Sequence, residues 1–120
     1  MSAGPLELAV VIPTFNERRN VPILIAALDK ALAGRRWEAI FVDDDSPDGT
    51  ADAARELGRT DTRVRVIQRI GRRGLSSATI EGMCATAAPH VAVIDGDMQH
   101  DETLLPKMLD ALQALSLIHI

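Results

Sequence analysis

The chain has 120 residues, 47% hydrophobic and 25% charged, enough for one folded domain and too few for two cores. Its net charge of −4 and aromatic content of 2%, supplied by Trp37, Phe15 and Phe41, exclude the basic field and exposed rings of a nucleic-acid platform, and no nucleic-acid partner is expected. The single cysteine, Cys84, excludes an internal disulfide and fits a reducing compartment.

The N-terminal stretch MSAGPLELAVVIP has no basic region and no long apolar run, so neither a signal peptide nor a transmembrane segment is expected in these residues. A first strand is predicted at Leu8–Ile12, followed by PTFNE, where Pro13 stiffens a loop and Thr14, Asn16 and Glu17 offer hydrogen-bonding groups beside Phe15. A helix is predicted over Asn20–Leu32, with Pro22 in its first turn and Gly34 beyond its end. The second strand, Ala39–Val42, runs into DDDSPDGT, and SPDGT turns the chain toward a helix starting near Thr50. Asp43 or Asp44 is expected to accept hydrogen bonds from a nucleobase or ribose, while Asp45 and Asp48 cap and turn the chain. The following helix is predicted over Thr50–Leu57, stopping before Gly58. A third strand at Val64–Ile67 precedes a helix over Ser76–Ala87, in which Met83 and Cys84 are expected to be buried. The fourth strand, Val91–Ile94, ends in DGDMQHD, and a last helix is expected over Leu104–Leu115, with Met98 and Met108 filling core gaps.

Three of the four strands are continuous apolar runs, as expected for strands covered on both faces. The alternating order predicts an α/β fold, a doubly wound, mostly parallel sheet with right-handed crossovers. Ligands of such sheets bind beyond the carboxyl ends of the strands near the switch point, where PTFNE, DDDSPDGT and DGDMQHD all fall. Asp95 and Asp97 flank Gly96 at a strand end, and their oxygens suit Mg2+ or Mn2+, ions that also bind substrate phosphates; the alternative is a solvated Asp-Gly turn. Arg18, Arg19, Arg69, Arg72 and Arg73 are candidates to balance a diphosphate, although each alone reads as a solvated surface residue. His90, His100 and His119 lack metal-ligand spacing and none is assigned to zinc. No Walker loop, no glycine-rich fingerprint after the first strand and no G-x-S-x-G elbow is present, which leaves metal and phosphate chemistry without a visible protein nucleophile.

Together, VVIPTFNERRNVP, FVDDDSPDGTADAA, RRGLSSATIEGM and VAVIDGDMQHDE resemble family 2 glycosyltransferases, most closely the polyprenyl- or dolichol-phosphate mannosyltransferase branch. The resemblance implies a GT-A, nucleotide-diphospho-sugar transferase fold. It also implies metal-dependent, inverting transfer of a sugar, mannose from GDP-mannose, to a polyprenyl or dolichyl phosphate. Pro13, Phe15 and Glu17 would lie along the nucleoside, Val42 and Asp44 near its base and ribose, and Asp95, Gly96 and Asp97 would form the metal-diphosphate motif, with Mg2+ or Mn2+ as cofactor. Peripheral association with the cytoplasmic side of a membrane follows from the lipid acceptor. Three residues depart from the family pattern: Phe15 where tyrosine is usual, Asp45 in place of the glycine of DDGS, and Gly96 in place of the alanine of DAD. Residues 1–115 read as the N-terminal, nucleotide-sugar-binding half of such a domain and 116–120 as an off-pattern tail, so a truncated domain is expected. Three rival readings remain: a donor-binding fragment without activity, a receiver domain, which needs a further strand ending in Lys, and a nucleotidylyltransferase, which wants a glycine-rich basic loop where PTFNE stands.

Overall fold

The computed structural model of the chain describes residues 6–71 and 74–94. Asp95, Gly96, Asp97, Arg72, Arg73, Met98, His100, Met108, His119, the expected helix at 104–115 and the tail at 116–120 lie outside these residues.

The apolar runs form β1 (Leu8–Thr14), β2 (Trp37–Asp43), β3 (Val64–Gln68) and β4 (His90–Val93), and between them lie α1 (Asn20–Ala31), α2 (Thr50–Thr60) and α3 (Leu75–Cys84). All pairings are parallel and the strand order is β3-β2-β1-β4, the α/β arrangement expected. The alternating sides of β1 and β2 feed two cores. Leu8, Val10, Ile12, Trp37, Ala39 and Phe41 pack against Val21, Leu24, Ile25 and Leu28 of α1 and Ala54 of α2. Ala9, Val11, Ile40 and Val42 pack against Ala78 of α3. The sheet is therefore covered on both faces, which is why its central strands need no polar alternation. Each fully buried Leu, Ile or Val contributes about 1.5–3 kcal/mol.

This order places the topological switch between β1 and β4: the chain steps from β1 outward through β2 to β3, then returns to the other side of β1. Pro13 belongs to β1 and not to the loop after it, opposite Val42. The last β1–β4 partners are Val11 and Val93, so the residue without an N–H falls just where that pairing stops.

Two helix ends differ from expectation. Helix α2 continues through Gly58 to Thr60. A Cβ at Gly58 would lie 2.9 Å from the Val64 carbonyl oxygen, so this glycine permits close approach to β3 and does not stop the helix. Helix α3 stops at Cys84, short of Ala87, because Thr86 bonds elsewhere: its hydroxyl donates to Glu38 and accepts the Ala88 N–H at 3.1 Å. Met83 and Cys84 are exposed, contrary to the burial expected of them. Helix α3 turns Ala78 and Gly82 to the sheet, which leaves Ile80 and Met83 facing outward, 60% and 47% exposed. Among the described residues no helix is long and apolar enough to cross a membrane.

Candidate functional site

The carboxyl ends of β1 and β2 are tied by one buried carboxylate. Asp43, wholly inaccessible, accepts the hydroxyl of Thr14 at 2.8 Å, the N–H of Ser46 at 2.9 Å and the hydroxyl of Ser46 at 2.6 Å. Three bonds compensate a charge that is costly to bury unpartnered. Asp43 is thereby structural, which leaves Asp44 as the acid of this loop that reaches an opening.

Beyond Asp43 the two loops are zipped together. Successive backbone N–H groups of Asn16, Glu17 and Arg18 donate to Ser46 Oγ at 2.8 Å, Thr50 Oγ1 at 3.0 Å and Asp48 Oδ2 at 3.2 Å. The side chains of SPDGT thus complete the backbone of NER, Asn16 to Arg18, a use that neither stretch reveals alone. Burial alone would push the Asp48 carboxyl up, but hydrogen bonds from the Thr50 hydroxyl and from the N–H groups of Arg18 and Thr50 hold it below the usual value. Asn16 and Asp45 both adopt left-handed backbone, φ 58° each. A glycine at position 45 would do so without strain, and aspartate is among the side chains that tolerate it, so the Asp45 departure keeps the loop's path. Gln68 Nε2–H donates to Asp45 Oδ1 at 2.8 Å and fixes the side chain outside the cleft.

A cleft of about 180 Å3 opens at these strand ends, lined by Pro13, Thr14, Phe15, Asp44 and Ala78. Phe15 is 39% exposed and offers a ring edge or face to an occupant. Ala78, from α3, closes the opposite wall. Three expected site residues, Pro13, Phe15 and Asp44, therefore meet in one place. Glu17 sits in the adjoining loop and accepts the Asn20 side-chain amide at 3.3 Å. Val42 does not reach the cleft: it is buried in the core beneath α3.

Asp44 is held on the side away from the opening. The Gly74 N–H donates to its Oδ2 at 3.1 Å, and its Oδ1 lies 2.9 Å from Arg69 Nε as an ion pair not aligned as a hydrogen bond. Arg69, a candidate to balance a diphosphate that alone reads as a solvated surface residue, is instead 0% exposed. Its Nη1 donates to Ser77 Oγ at 2.9 Å and to Glu81 Oε2 at 3.1 Å, while its buried Nη2 has no hydrogen-bond partner among the described residues. Arg69 was a candidate to balance a diphosphate, but its burial and its partners Ser77 and Glu81 were missed because an arginine after an apolar strand usually faces water. The available signal was the i, i+4 spacing of Ser77 and Glu81, which puts both on one face of α3.

The Ile94 N–H donates to the Val11 carbonyl at 3.1 Å, just past β4 and at the same end of the parallel sheet as Thr14 and Asp43. Asp95 and Asp97 follow immediately in sequence, outside the described residues. Among the described residues no group of three or more His, Cys, Asp or Glu is arranged to hold a metal.

A larger hollow of about 400 Å3 lies at the opposite end of the sheet, lined by Leu6, Arg35, Arg36, Trp37, Glu38, Thr62 and Arg63. Arg63 is fully engaged there, with Asp61 at 2.8 Å, Asp29 at 2.8 Å and the Trp37 ring 4.3 Å below. Arg35 pairs with Glu7 at 3.4 Å. Its charges stabilise the amino ends of the strands, where open α/β sheets do not bind ligands.

The sequence pattern of glycosyl transferase family 2 matches residues 9–118. The chain belongs to this family. This family 2 chain is 41% identical over 108 residues to a dolichol-phosphate mannosyltransferase of Pyrococcus furiosus, an overlap of 90% of the chain and 30% of that relative. It is 32% identical over 110 residues to a dolichol-phosphate mannosyltransferase of Saccharomyces cerevisiae, covering 89% of itself and 41% of the relative. A dodecaprenyl-phosphate galacturonate synthase of Rhizobium johnstonii is 34% identical over 111 residues, with 90% and 33% covered. The chain thus spans between 30% and 41% of the length of these curated relatives.

Among solved structures, a mannosyltransferase of Pyrobaculum calidifontis in complex with GDP-Man and Mn2+ superposes with a TM-score of 0.64 at 23% identity, over 76% of this chain and 27% of that one. Glucosyl-3-phosphoglycerate synthase of Mycobacterium tuberculosis, in complex with Mn2+, UDP and glucosyl-3-phosphoglycerate, superposes with a TM-score of 0.70 at 24% identity, over 89% and 39%. At these identities the likeness establishes the fold, the GT-A arrangement expected. Family membership decides between the glycosyltransferase reading and its receiver-domain and nucleotidylyltransferase rivals, in favour of the first.

Proposed function

We propose that the chain is the nucleotide-sugar-binding part of a glycosyltransferase that moves mannose from GDP-mannose to a polyprenyl or dolichyl phosphate. The observation that carries the reading is the convergence of Pro13, Phe15 and Asp44 on one cleft at the carboxyl ends of β1 and β2, beside the switch point. Phe15 supplies a stacking surface for the base, Pro13 a rigid wall, and Asp44 a carboxylate acceptor for base or ribose donors. Glu17 adds a further polar group along the nucleoside. Val42, wholly buried between β1 and β3, supports Asp44 from the core and does not itself face the nucleoside.

Asp95 and Asp97, on either side of Gly96, would hold Mg2+ or Mn2+, and their oxygen donors suit either ion. The ion supplies charge neutralisation for the departing nucleoside diphosphate. The anomeric C–O bond to the diphosphate breaks, a new C–O bond forms to an acceptor phosphate oxygen on the opposite face, and the nucleoside diphosphate leaves with inversion at that carbon. A phosphate monoester with a second pKa of about 6 is already anionic at neutral pH, so the acceptor needs no strong general base. The relatives named for dolichol phosphate and dodecaprenyl phosphate support a lipid-phosphate acceptor, and with it a place at the cytoplasmic membrane surface.

Calorimetric titration of GDP-mannose into the chain, with and without Mn2+, tests this reading. Binding is expected to strengthen with Mn2+ in the parent and to lose that dependence in Asp97→Asn. Equal Mn2+ dependence in the two proteins would overturn the metal assignment.

A further inference from the structure

Arg69 is the only arginine among the described residues that is wholly buried, and it lies between two carboxylates from different elements. On one side Nε faces Asp44 Oδ1 at 2.9 Å; on the other Nη1 reaches Glu81 Oε2 at 3.1 Å and Ser77 Oγ at 2.9 Å. Asp44 lines the cleft; Glu81 does not. A desolvated guanidinium draws the nearest carboxylates strongly and prefers a two-pronged grip on one of them. Glu81 and Ser77 occupy Nη1 and so fix the plane of the guanidinium, with Nε beside Asp44 Oδ1 and Nη2 making no hydrogen bond among the described residues. Asp44 keeps acceptor capacity free for the cleft. Without the Glu81 charge, the guanidinium turns further toward Asp44, its other carboxylate partner among the described residues, and draws in Oδ2 beside the already paired Oδ1, the oxygen whose remaining acceptor capacity a nucleoside would use.

We propose that Glu81 is a positioning residue for nucleoside recognition, acting on Asp44 through the buried Arg69. This rests on the donor-binding reading above. It makes α3, through a side chain outside the cleft, a determinant of affinity for the nucleoside part of the donor and not for its diphosphate.

The test is a double-mutant cycle on GDP affinity with Mn2+ present, over the parent, Glu81→Gln, Asp44→Asn and the double variant, with inorganic pyrophosphate and Mn2+ as the second probe. Glu81→Gln is expected to weaken GDP binding roughly threefold to tenfold, as for one displaced charge-assisted bond, and to leave pyrophosphate binding unchanged. In the Asp44→Asn background the same substitution is expected to change GDP binding less than twofold. Additive losses, or an equal loss for pyrophosphate, would overturn the proposal and make Glu81 a packing residue only. A parent that binds pyrophosphate but shows no preference for GDP overturns the donor-binding reading and this inference with it. Should Glu81→Gln not fold, Ser77→Ala removes the other Nη1 contact and is expected to give the same pattern at about a twofold loss.

Discussion

Replacing Gly82 with alanine should destabilise the fold, although alanine is the better helix former. A Cβ at this position would lie 2.4 Å from Val11 Cγ1, 3.1 Å from Val11 Cγ2 and 3.2 Å from Val42 Cγ2, where carbon atoms normally rest about 3.5–4.0 Å apart. Both valines are fully buried and β-branched, with no flexible end to swing aside, so the helix must move. Overpacking of this kind costs about 1–3 kcal/mol. Helix propensity returns at most about 1 kcal/mol, and less so near the end of α3, which stops at Cys84. The net expectation is a loss of roughly 1–2 kcal/mol, read in urea as a lower midpoint at unchanged slope and on heating as a fall of about 4–8 °C. An alanine variant as stable as the parent would refute the close seating of α3 on the sheet. It would equally unsettle the cleft, because α3 carries Ala78 in its wall and Ser77 and Glu81 behind it.

Asp43→Ala leaves the hydroxyl of Thr14 and both donors of Ser46 without their acceptor, and should cost about 3–4 kcal/mol in urea unfolding; Asp43→Asn, which keeps one oxygen, should cost roughly 2 kcal/mol. Equal stability of the alanine variant would contradict the buried tie between β1 and β2. Acid should act partly through Asp61. The Arg63 side chain, bonded to it at 2.9 Å and 2.8 Å, holds its carboxyl below the usual carboxylate value despite partial burial. A depressed folded value means stability that is present above the unfolded pKa of about 3.9 and lost as pH falls through the folded one. Asp61→Asn should therefore cost about 1 kcal/mol at pH 7, with the gap to the parent closing as pH drops below about 4; a gap independent of pH would count against the pairing.

Much of the architecture is legible in the sequence because its cause is local. The runs around Val10, Phe41 and Val91 are apolar without alternation, and only a sheet covered on both faces explains that. Helix starts at Asn20 and Thr50 follow from Pro22 and from the turn before Thr50. The misreadings arise where a distant neighbour decides. Gly58 looks like a stop signal until the Val64 carbonyl lies against it, and Thr86 looks helical until Glu38 takes its hydroxyl. Cys84 and Met83 look like core residues, yet Gly82 brings α3 so close to the sheet that its narrow face fills the contact. The site divides in the same way. That Pro13, Phe15 and Asp44 come together at one cleft was readable because strand-end loops of a doubly wound sheet converge. The separate duties of Asp43 and Asp44 were not, since two adjacent acids at a strand end point to opposite faces and only the tertiary partners, Thr14 and Arg69, tell them apart.

The central claim, that a nucleotide occupies the carboxyl ends of the strands, is tested most directly by following backbone amide resonances while GDP and Mg2+ are titrated into the chain. Shifts are expected in Thr14 to Glu17, Asp44 to Ser46 and Asp95 to Asp97. Shifts confined to the opposite end of the sheet, at Arg35, Arg36, Trp37 and Arg63, or no shifts at all at saturating GDP, would contradict it.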